Sequence, residues 1–365
     1  MESLQISREM NRDQVGIKRI GIYVPDEIKD SKYIGEESGI SEDIVQQKFG
    51  IRQIHKAGKK ENVSDMGVKA AKKALMDFNP EKLDLVVYCG SEYKDYYLFN
   101  CAAKIQHEIG AKNANAFEIH SLCSAGVYSL KVLKSMMLQD EKLRYVLLVS
   151  SSKEADLINY KNTRTRFMFN FGDGAAAVLL EKGLNENVIL ETHMITDGSF
   201  AEDVGVMGIG CKNFHKFEKM KYEDRFLDVA DIRSMKERLD PITLNNFVTV
   251  IEKSAEKSGY KKHEINFIAP IFMKRSILNN ILSYFHLNEE NSFVLENYGH
   301  CQSADSFISL SEGEKLGRIK EGDIAVLFGA GTGYTWAATT VKWGKIKVME
   351  KTEIKQSDQE VILCD

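Results

Sequence analysis

The stretch FEIHSLCSAG, residues 117–126, runs from a strand-like segment through small residues into an apolar helical pattern that ends near Met137. This order of strand, tight turn and helix predicts a nucleophile elbow with Cys123 at the start of the helix. A thiol at a helix N-terminus lies near the positive end of the helix dipole and the unpaired first-turn N–H groups, so its thiolate is favoured. The alternative is a small buried cysteine that only packs as a hydrophobic residue.

Length and composition describe an ordinary enzyme-sized protein. The chain has 365 residues, of which 43% are hydrophobic, and a formal net charge of −4. This length predicts two domains or one duplicated core. The near-balanced charge shows no basic stripe of the kind that neutralises phosphates, so we expect no nucleic-acid partner.

Cysteine spacing and the apolar runs give predictions about the compartment. The six cysteines are scattered without CxxC spacing, which argues against a zinc site or a disulfide framework and favours a reducing compartment. Residues 1–15 are polar and lack the apolar core of a signal peptide, and no later apolar run approaches the length of a membrane span. We therefore predict a cytoplasmic protein with no metal and no membrane insertion.

Strand-like and helical segments alternate along the chain, which predicts an α/β fold. The predicted strands are residues 83–89, 114–119, 145–151, 265–269 and 324–328, and the predicted helices are residues 100–109, 124–139, 247–258, 277–285 and 303–315. The strand at 145–151 is continuously apolar, which is typical of a sheet covered by helices on both faces.

The second part of the chain repeats the plan of the first. We predict one half over residues 14–183 and a similar half over residues 188–345, with the polar stretch 181–187 as the joint. Residues 212–231, rich in Lys, Glu and aromatic residues, are predicted to form an excursion over the surface. We predict a charged C-terminal tail over residues 346–365.

Four further motifs accompany the Cys123 elbow. They are Gly50-Ile51-Arg52, the segment FGDGAAAV at residues 171–178, the segment NYGH at residues 297–300, and the segment FGAG at residues 328–331 followed by YTW at 334–336. In order and spacing the set resembles ketoacyl-ACP synthase III and its relatives in the thiolase-like superfamily. The resemblance implies a five-layered αβαβα fold made of two similar halves, usually a homodimer, with an acyl chain carried on the cysteine.

The chain departs from this family at two positions. Decarboxylating members use a Cys-His-Asn set, in which the histidine belongs to a Pro-His-Gln-Ala-Asn segment. Here that segment is APIFM, residues 269–273, so the histidine position is Pro270 or Ile271. Where the family has Gly-Asn, this chain has Gly299-His300, and Asp305 follows five residues later.

This replacement bears on the reaction class. Decarboxylative condensation needs two neutral donors on the thioester oxygen, and loss of one oxyanion donor costs about 3 kcal/mol. A lone histidine suits acyl transfer, where a base activates Cys123 and then the incoming acceptor, and Asp305 could fix its tautomer. A subset of synthase III-like proteins from antibiotic and polyketide pathways has this Cys-His-Asp pattern and acts in acyl transfer. We therefore predict an acyltransferase of secondary metabolism that moves an acyl group through Cys123 to a hydroxyl, amine or thiol.

The resemblance also implies binding groups. An oxyanion hole would combine the N–H of Cys123 with one from the glycine-rich loop, and two extra residues before Tyr334 leave both Ala330 and Gly331 as candidates. The family's tryptophan for the adenine of coenzyme A has no counterpart near Gly50. The cations expected at the carrier-protein or coenzyme A site are Lys48, Arg52, Lys274 and Arg275. We thus expect an acyl-CoA or acyl-phosphopantetheine substrate, an acyl carrier protein partner, a small-molecule acceptor and no bound cofactor.

Other interpretations stay open at this point. The chain could be a condensing enzyme that forms a carbon–carbon bond with His300 alone, or a non-catalytic subunit of a thiolase-like heterodimer. His300 could be a structural histidine, Asp305 a first-turn carboxylate favoured by the helix dipole, and Lys274 with Arg275 a solvated charge pair.

Overall fold

A computed structural model describes residues 14–90 and 92–345, so the predicted tail at 346–365 lies outside the described residues. The strands are β1 (Val15–Tyr23), β2 (Ile28–Asp30), β3 (Gln53–His55), β4 (Leu85–Gly90), β5 (Asn115–His120), β6 (Tyr145–Ser152), β7 (Gly174–Lys182), β8 (Glu186–Thr196), β9 (Val204–Gly205), β10 (Asp228–Val229), β11 (Ile265–Ala269), β12 (Ile324–Gly331) and β13 (Thr335–Lys345). The α-helices are α1 (Ser31–Ser38), α2 (Glu42–Phe49), α3 (Val63–Leu75), α4 (Cys101–Glu108), α5 (Ala125–Gln139), α6 (Ile232–Lys257), α7 (Arg275–Tyr284) and α8 (Asp305–Lys315).

The main sheet consists of two half-sheets with the same plan. In the first, the strand order is β5-β4-β6-β7-β1, with β5, β4 and β6 parallel and β6, β7 and β1 antiparallel. In the second, the order is β11-β12-β13-β8, again parallel at β11-β12 and antiparallel beyond. The two half-sheets meet at one pair, Gly16 of β1 with Val188 of β8.

A single bridge completes the correspondence between the half-sheets. Ser292 pairs in parallel with Ile268 of β11, so the chain at Ser292 occupies the position that β5 holds beside β4 in the first half. The second half therefore repeats the topology of the first, with a shortened outer strand. This shortened segment leads to Gly299 and His300, as β5 leads to Cys123.

Alternate residues of the strands face different hydrophobic clusters, which defines the layers. On the first half-sheet, Val86 packs with α3 and α4, while Val87 faces the central cluster that contains α5 and α8. On the second, Phe267 faces the same central cluster, while Ile268 packs with α6 and α7. The order of layers is helix, sheet, helix, sheet, helix, so the predicted αβαβα fold is confirmed.

Helix α6 is the largest correction to the predicted elements. It begins at Ile232 and contains Pro241, whereas the sequence predicted a helix only over residues 247–258. Asp231 caps the earlier start by accepting from the N–H groups of Arg233 and Ser234. The helix continues through this segment because Met235 packs into the core and is 3% exposed. Tertiary burial thus outweighs the unfavourable proline.

The described part of the chain contains no helix that combines the length and the apolar character needed to cross a bilayer. The predicted cytoplasmic location stays a prediction.

Candidate active site

The first element of the site is the elbow after β5. Leu122 has a φ of 47°, in the left-handed region that non-glycine residues rarely adopt. The hydroxyl of Ser124 donates to the carbonyl of Ser121 at 2.8 Å, and its N–H donates to the same carbonyl at 3.2 Å. These bonds hold the tight turn, so Cys123 lies two residues before the start of α5.

The second element is the elbow that precedes α8. The N–H of His300 donates to the carbonyl of Asn170 at 2.6 Å, and the imidazole meets the ring of Phe171 edge to face at 4.7 Å. Gln302 has a φ of 56°. The chain then enters α8 at Asp305, which is 0% exposed.

Three side chains from the two elbows form a continuous hydrogen-bonded chain. The Nε2 atom of His300 lies 3.2 Å from the Sγ atom of Cys123, and its Nδ1 atom lies 2.5 Å from Oδ2 of Asp305. A nucleophile, a base and an orienting carboxylate therefore stand in the order that a catalytic triad requires.

Backbone N–H groups hold the Asp305 carboxylate in place. Oδ1 accepts from the N–H of Cys301 at 2.7 Å, and Oδ2 accepts from the N–H of Phe272 at 2.7 Å, in addition to its bond with His300. Each oxygen is thus satisfied although the residue is fully buried, as a buried charge requires. The interpretation of Asp305 as only a first-turn carboxylate does not account for these contacts.

The charge on His300 follows from its neighbours. Burial opposes the imidazolium, but the negative charge of Asp305, with a further contribution from Cys123, outweighs burial and raises the pKa of His300 well above its usual value. The Asp305 carboxylate is therefore the main group that stabilises the protonated imidazole.

Cys123 and His300 open onto a cavity of about 1370 Å³. Its walls are mainly apolar, with Phe49, Phe167, Met235, Leu239 and Phe247 among the contributing residues. Cavities of this kind, with a few convergent polar groups, are typical small-molecule sites. The volume is sufficient for an acyl chain and the arm that carries it.

Comparison with known families agrees with this architecture. Residues 117–198 match the family model described as 3-oxoacyl-[acyl-carrier-protein] synthase III, and residues 255–343 match the model of its C-terminal part. Over these two segments the chain is similar to ketoacyl-ACP synthase III.

Individual relatives of this synthase III-like protein cover nearly its whole length. It is 27% identical over 333 residues to the beta-ketoacyl-[acyl-carrier-protein] synthase III of Clostridioides difficile, which spans 90% of this chain and 98% of the relative. The structure of the Pseudomonas aeruginosa synthase III matches with a TM-score of 0.80 at 21% identity, over 92% of this chain and all of that one. The structure of ChlB3, an acyltransferase, matches with a TM-score of 0.74 at 19% identity, over 91% of this chain and 98% of that one.

The family's missing histidine leaves an apolar wall in this synthase III-like protein. Ile271 and Phe272 line the cavity where the Pro-His-Gln-Ala-Asn segment of decarboxylating members is expected, and they are 8% and 4% exposed. His120 does not replace the lost imidazole, because its ring nitrogens contact the carboxylates of Glu118 and Glu92 at 3.0 and 3.4 Å.

The glycine-rich loop of β12 lies against the Cys123 elbow. A β-carbon at Gly331 would stand 2.3 Å from the carbonyl oxygen of Ser121 and 3.3 Å from the nitrogen of Cys123, and one at Gly329 would stand 2.9 Å from the carbonyl oxygen of Cys123. Only glycine permits this approach. Ala330, between them, lines the cavity. Both Ala330 and Gly331 are thus near the elbow, and the choice of oxyanion donor stays a prediction.

The four predicted cations fall into two pairs. Lys48 and Lys274 line the cavity and are exposed at its mouth. Arg52 and Arg275 do not line it and instead share Glu296, at 2.9 and 3.6 Å. The structure therefore brings only the two lysines to the cavity.

Sequence reasoning missed several polar residues of the cavity wall. They include Arg164, Arg166, Lys236, Asn170 and the acidic Asp240. Arg164 is bonded to Asp228, while Arg166 and Lys236 add exposed positive charge to the mouth. The alternating arginines in TRTRF, residues 163–167, just before the FGDG motif, were a signal for part of this set.

The FGDG motif has a structural role in the described contacts. The carboxylate of Asp173 is 0% exposed and accepts from the N–H groups of Ala57 and Ala155 at 2.7 and 3.1 Å. Burial raises its pKa to about 7. Asp173 thus ties together two loops from different parts of the first half.

Proposed function

We propose that this chain is an acyltransferase that carries its acyl group as a thioester on Cys123. The observation that supports this most strongly is the Cys123–His300–Asp305 chain beside an apolar wall at Ile271, where a condensing enzyme would present its second donor. One imidazole with a carboxylate supplies a base, whereas enolate stabilisation needs two neutral donors on one oxygen.

In the first step, the thiolate of Cys123 attacks the carbonyl carbon of a donor thioester. The bond between that carbon and the donor sulfur breaks, and the imidazolium of His300 gives its proton to the leaving thiol. Backbone N–H groups of Cys123 and of the Ala330–Gly331 segment would stabilise the oxyanion. The products are acyl-Cys123, free donor thiol and neutral His300.

In the second step, neutral His300 takes a proton from the acceptor as its oxygen, nitrogen or sulfur attacks the acyl carbon. The bond from that carbon to Sγ of Cys123 breaks, which returns the thiolate. His300 regains its proton, and Asp305 stabilises the resulting imidazolium. The starting charge state is restored, so one group serves both steps.

The donor would enter past the positive mouth of the cavity. Lys48, Lys274, Arg166 and Lys236 suit the phosphates of coenzyme A or of phosphopantetheine, and they complement the acidic surface of an acyl carrier protein. We propose a carrier-protein partner, a small-molecule acceptor, a homodimeric assembly, a cytoplasmic location and a place in polyketide or other secondary metabolism. The fold shared with the acyltransferase ChlB3 is compatible with this reaction class.

A second candidate is a condensing enzyme of the synthase III type. It is favoured by the names of the relatives, such as the Clostridioides difficile synthase at 27% identity. In that case the acyl group on Cys123 would react with a malonyl carrier thioester and carbon dioxide would be released.

Intact-protein mass spectrometry separates the two. The wild type and Cys123→Ala are incubated with acyl-CoA and acyl-carrier thioesters, after which malonyl carrier protein or a nucleophilic acceptor is added. An adduct on the wild type alone that passes unchanged to a hydroxyl, amine or thiol supports acyl transfer. Loss of the adduct to malonyl carrier protein, with carbon dioxide and a β-keto product, would show the condensing reaction instead.

A further inference from the structure

Asn170 is a cavity residue that the proposed chemistry does not use. It is 9% exposed, and it lines the same cavity as Cys123 and His300. Its backbone carbonyl accepts from the N–H of His300 at 2.6 Å, so its backbone is held directly beside that of the base.

The side-chain amide of Asn170 is only half satisfied. Its Nδ2 atom is 3.4 Å from the carbonyl oxygen of Phe272. That oxygen can only accept, so the amide nitrogen faces it and Oδ1 points elsewhere. Within the described residues, Oδ1 is buried and has no hydrogen-bond partner.

A buried acceptor without a partner is costly to the folded protein. Most buried side-chain oxygens are hydrogen-bonded, and each exception calls for a reason. The neighbouring cavity walls are apolar, with Met168, Phe171 and Phe272 close in sequence or bonded to Asn170. A saturated acyl chain packed here would leave Oδ1 unpaired, so the acyl group gives no reason for an amide at this position.

We propose that Asn170 selects the acceptor, by accepting a hydrogen bond at Oδ1 from an O–H or N–H group next to the acceptor's nucleophilic atom. This inference rests on the proposed acyl transfer. The hydrogen bound by Asn170 is distinct from the proton that His300 removes. The acceptor class is therefore a vicinal diol, an amino alcohol or a similar polyfunctional molecule, rather than a simple alcohol or thiol.

A competition between two isosteric alcohols tests the role of Asn170. Wild-type acyl-Cys123 enzyme, prepared from hexanoyl-CoA, is offered equal amounts of propane-1,2-diol and 2-methylpropan-1-ol. The two share a primary hydroxyl and differ by a neighbouring hydroxyl in place of a methyl. We expect the wild type to favour the diol. The measured quantity is the ratio of the primary ester of propane-1,2-diol to the ester of 2-methylpropan-1-ol, and Asn170→Leu should lower this ratio about tenfold.

The product ratio keeps the test valid if the variant folds less well. Both alcohols compete for the same acyl-enzyme, so the ratio does not depend on the fraction of active protein. Asn280→Leu makes the same chemical change at an exposed residue of the cavity mouth and should keep the wild-type ratio. An equal fall of the product ratio in Asn170→Leu and Asn280→Leu would contradict a specific role for Asn170.

A second arm distinguishes the acceptor from the donor, whose pantetheine arm also carries N–H groups. Acylation of Cys123 is timed with hexanoyl-N-acetylcysteamine, which keeps such an amide, and with S-ethyl hexanethioate, which lacks it. The relative rates should be the same in the wild type and Asn170→Leu. If Asn170→Leu slowed acylation by hexanoyl-N-acetylcysteamine but not by S-ethyl hexanethioate, Oδ1 would bind the donor, and the inference would be overturned.

The outcomes also separate this inference from the proposed function. If the wild-type acyl-enzyme transfers to neither alcohol nor to any other nucleophile, acyl transfer fails and the inference fails with it. If transfer occurs but the ratio is the same in the wild type and Asn170→Leu, only the role of Asn170 is wrong.

Discussion

Each half of the chain places a left-handed, non-glycine residue just before a helix: Leu122 with φ of 47° before α5, and Gln302 with φ of 56° before α8. A short 3-10 turn follows in both, Leu122–Ser124 in the first and Gln302–Ala304 in the second. The two elbows thus share one backbone conformation and occupy corresponding places in two topologically similar halves.

The elbows differ in where the functional side chain stands. Cys123 comes after the left-handed residue, at the helix start, and is partly exposed to the cavity. His300 comes before it and is 5% exposed, and the first residue of α8, Asp305, contacts its ring. The first elbow places a thiol on the cavity surface, while the second buries the hydrogen-bonded pair of His300 and Asp305. The difference shows that the repeated backbone conformation determines where a side chain stands, whereas the residue type at each position determines what that side chain can do chemically.

The largest effect is expected from His300→Asn, which gives the second elbow the residue that the family carries there. Acyl transfer should fall about 10⁴-fold, because an amide cannot take a proton. No β-keto product should appear with malonyl carrier protein, because Ile271 supplies no partner donor. Single-turnover kinetics measure the rate of acyl transfer, and product analysis detects any β-keto product. His120→Asn is the matched control. A gain of condensation would mean that the apolar wall does not exclude that reaction.

Asp305→Asn tests the charge pair of the second elbow and should reduce acylation roughly 10³-fold. The pKa of His300 is raised by the Asp305 charge, so removing that charge lowers it. The alkaline limb of acylation, where the imidazolium loses its proton, should therefore move to lower pH. A pH–rate profile of Cys123 acylation measures this shift. An alkaline limb at the wild-type position would show that Asp305 does not set the charge of His300.

Gly126→Ala tests how closely the two elbows must pack. A β-carbon at Gly126 would lie 2.4 Å from the carbonyl oxygen of Ser303, so the elbows must separate. We expect about tenfold slower acylation and destabilisation by about 1–3 kcal/mol. Gly198→Ala is the control, since an added β-carbon there meets nothing within 4 Å. Equal acylation rates and equal thermal unfolding in the two variants would contradict tight coupling of the elbows.

The smallest effects concern the lysine that each half gives to the cavity mouth. Lys48→Ala and Lys274→Ala should each raise KM for an acyl-carrier thioester about three- to fivefold, and the effect should shrink at high salt. Arg52→Ala and Arg275→Ala should change KM less than twofold, because both arginines are engaged with Glu296 outside the cavity. Steady-state kinetics at two salt concentrations measure these changes in KM. A larger increase in KM from the arginine variants than from the lysine variants would show that the arginines, and not the lysines, bind the carrier thioester.

Strong local patterns made much of the fold predictable. The strand at 265–269 matches β11 because it is a short apolar run between clear breaks, and α5 starts within one residue of its predicted position because small residues precede its apolar face. The early start of α6 was missed, because its polar sequence and Pro241 weaken the local signal, while the burial of Met235 that supports it is a long-range effect.

The cavity wall was less predictable than the triad. Cys123, His300 and Asp305 lie in motifs whose spacing carries a signal, so a resemblance could point to them. Lys236 lies in a segment without a motif, and Arg166 and Asn170 lie just outside the FGDG motif, so their place in the cavity wall depends on how the two halves pack together. Arg52 and Arg275 were expected at the donor site because the resemblance places them at the family's Gly-Ile-Arg segment and basic docking position. In the structure both contact Glu296 and neither lines the cavity, and their part in donor binding stays a prediction.

The sequence by itself determined the two halves, the strand-turn-helix elbow and the identity of the residues at the proposed catalytic positions, because these depend on local pattern and side-chain type. Only the tertiary structure decided that Nε2 of His300 lies 3.2 Å from Sγ of Cys123, and that the buried Oδ1 atom of Asn170 has no hydrogen-bond partner among the described residues. Distances between residues far apart in sequence are set by how the two half-sheets and their shared central helices pack. That packing depends on many side chains at once, and no short stretch of sequence specifies it.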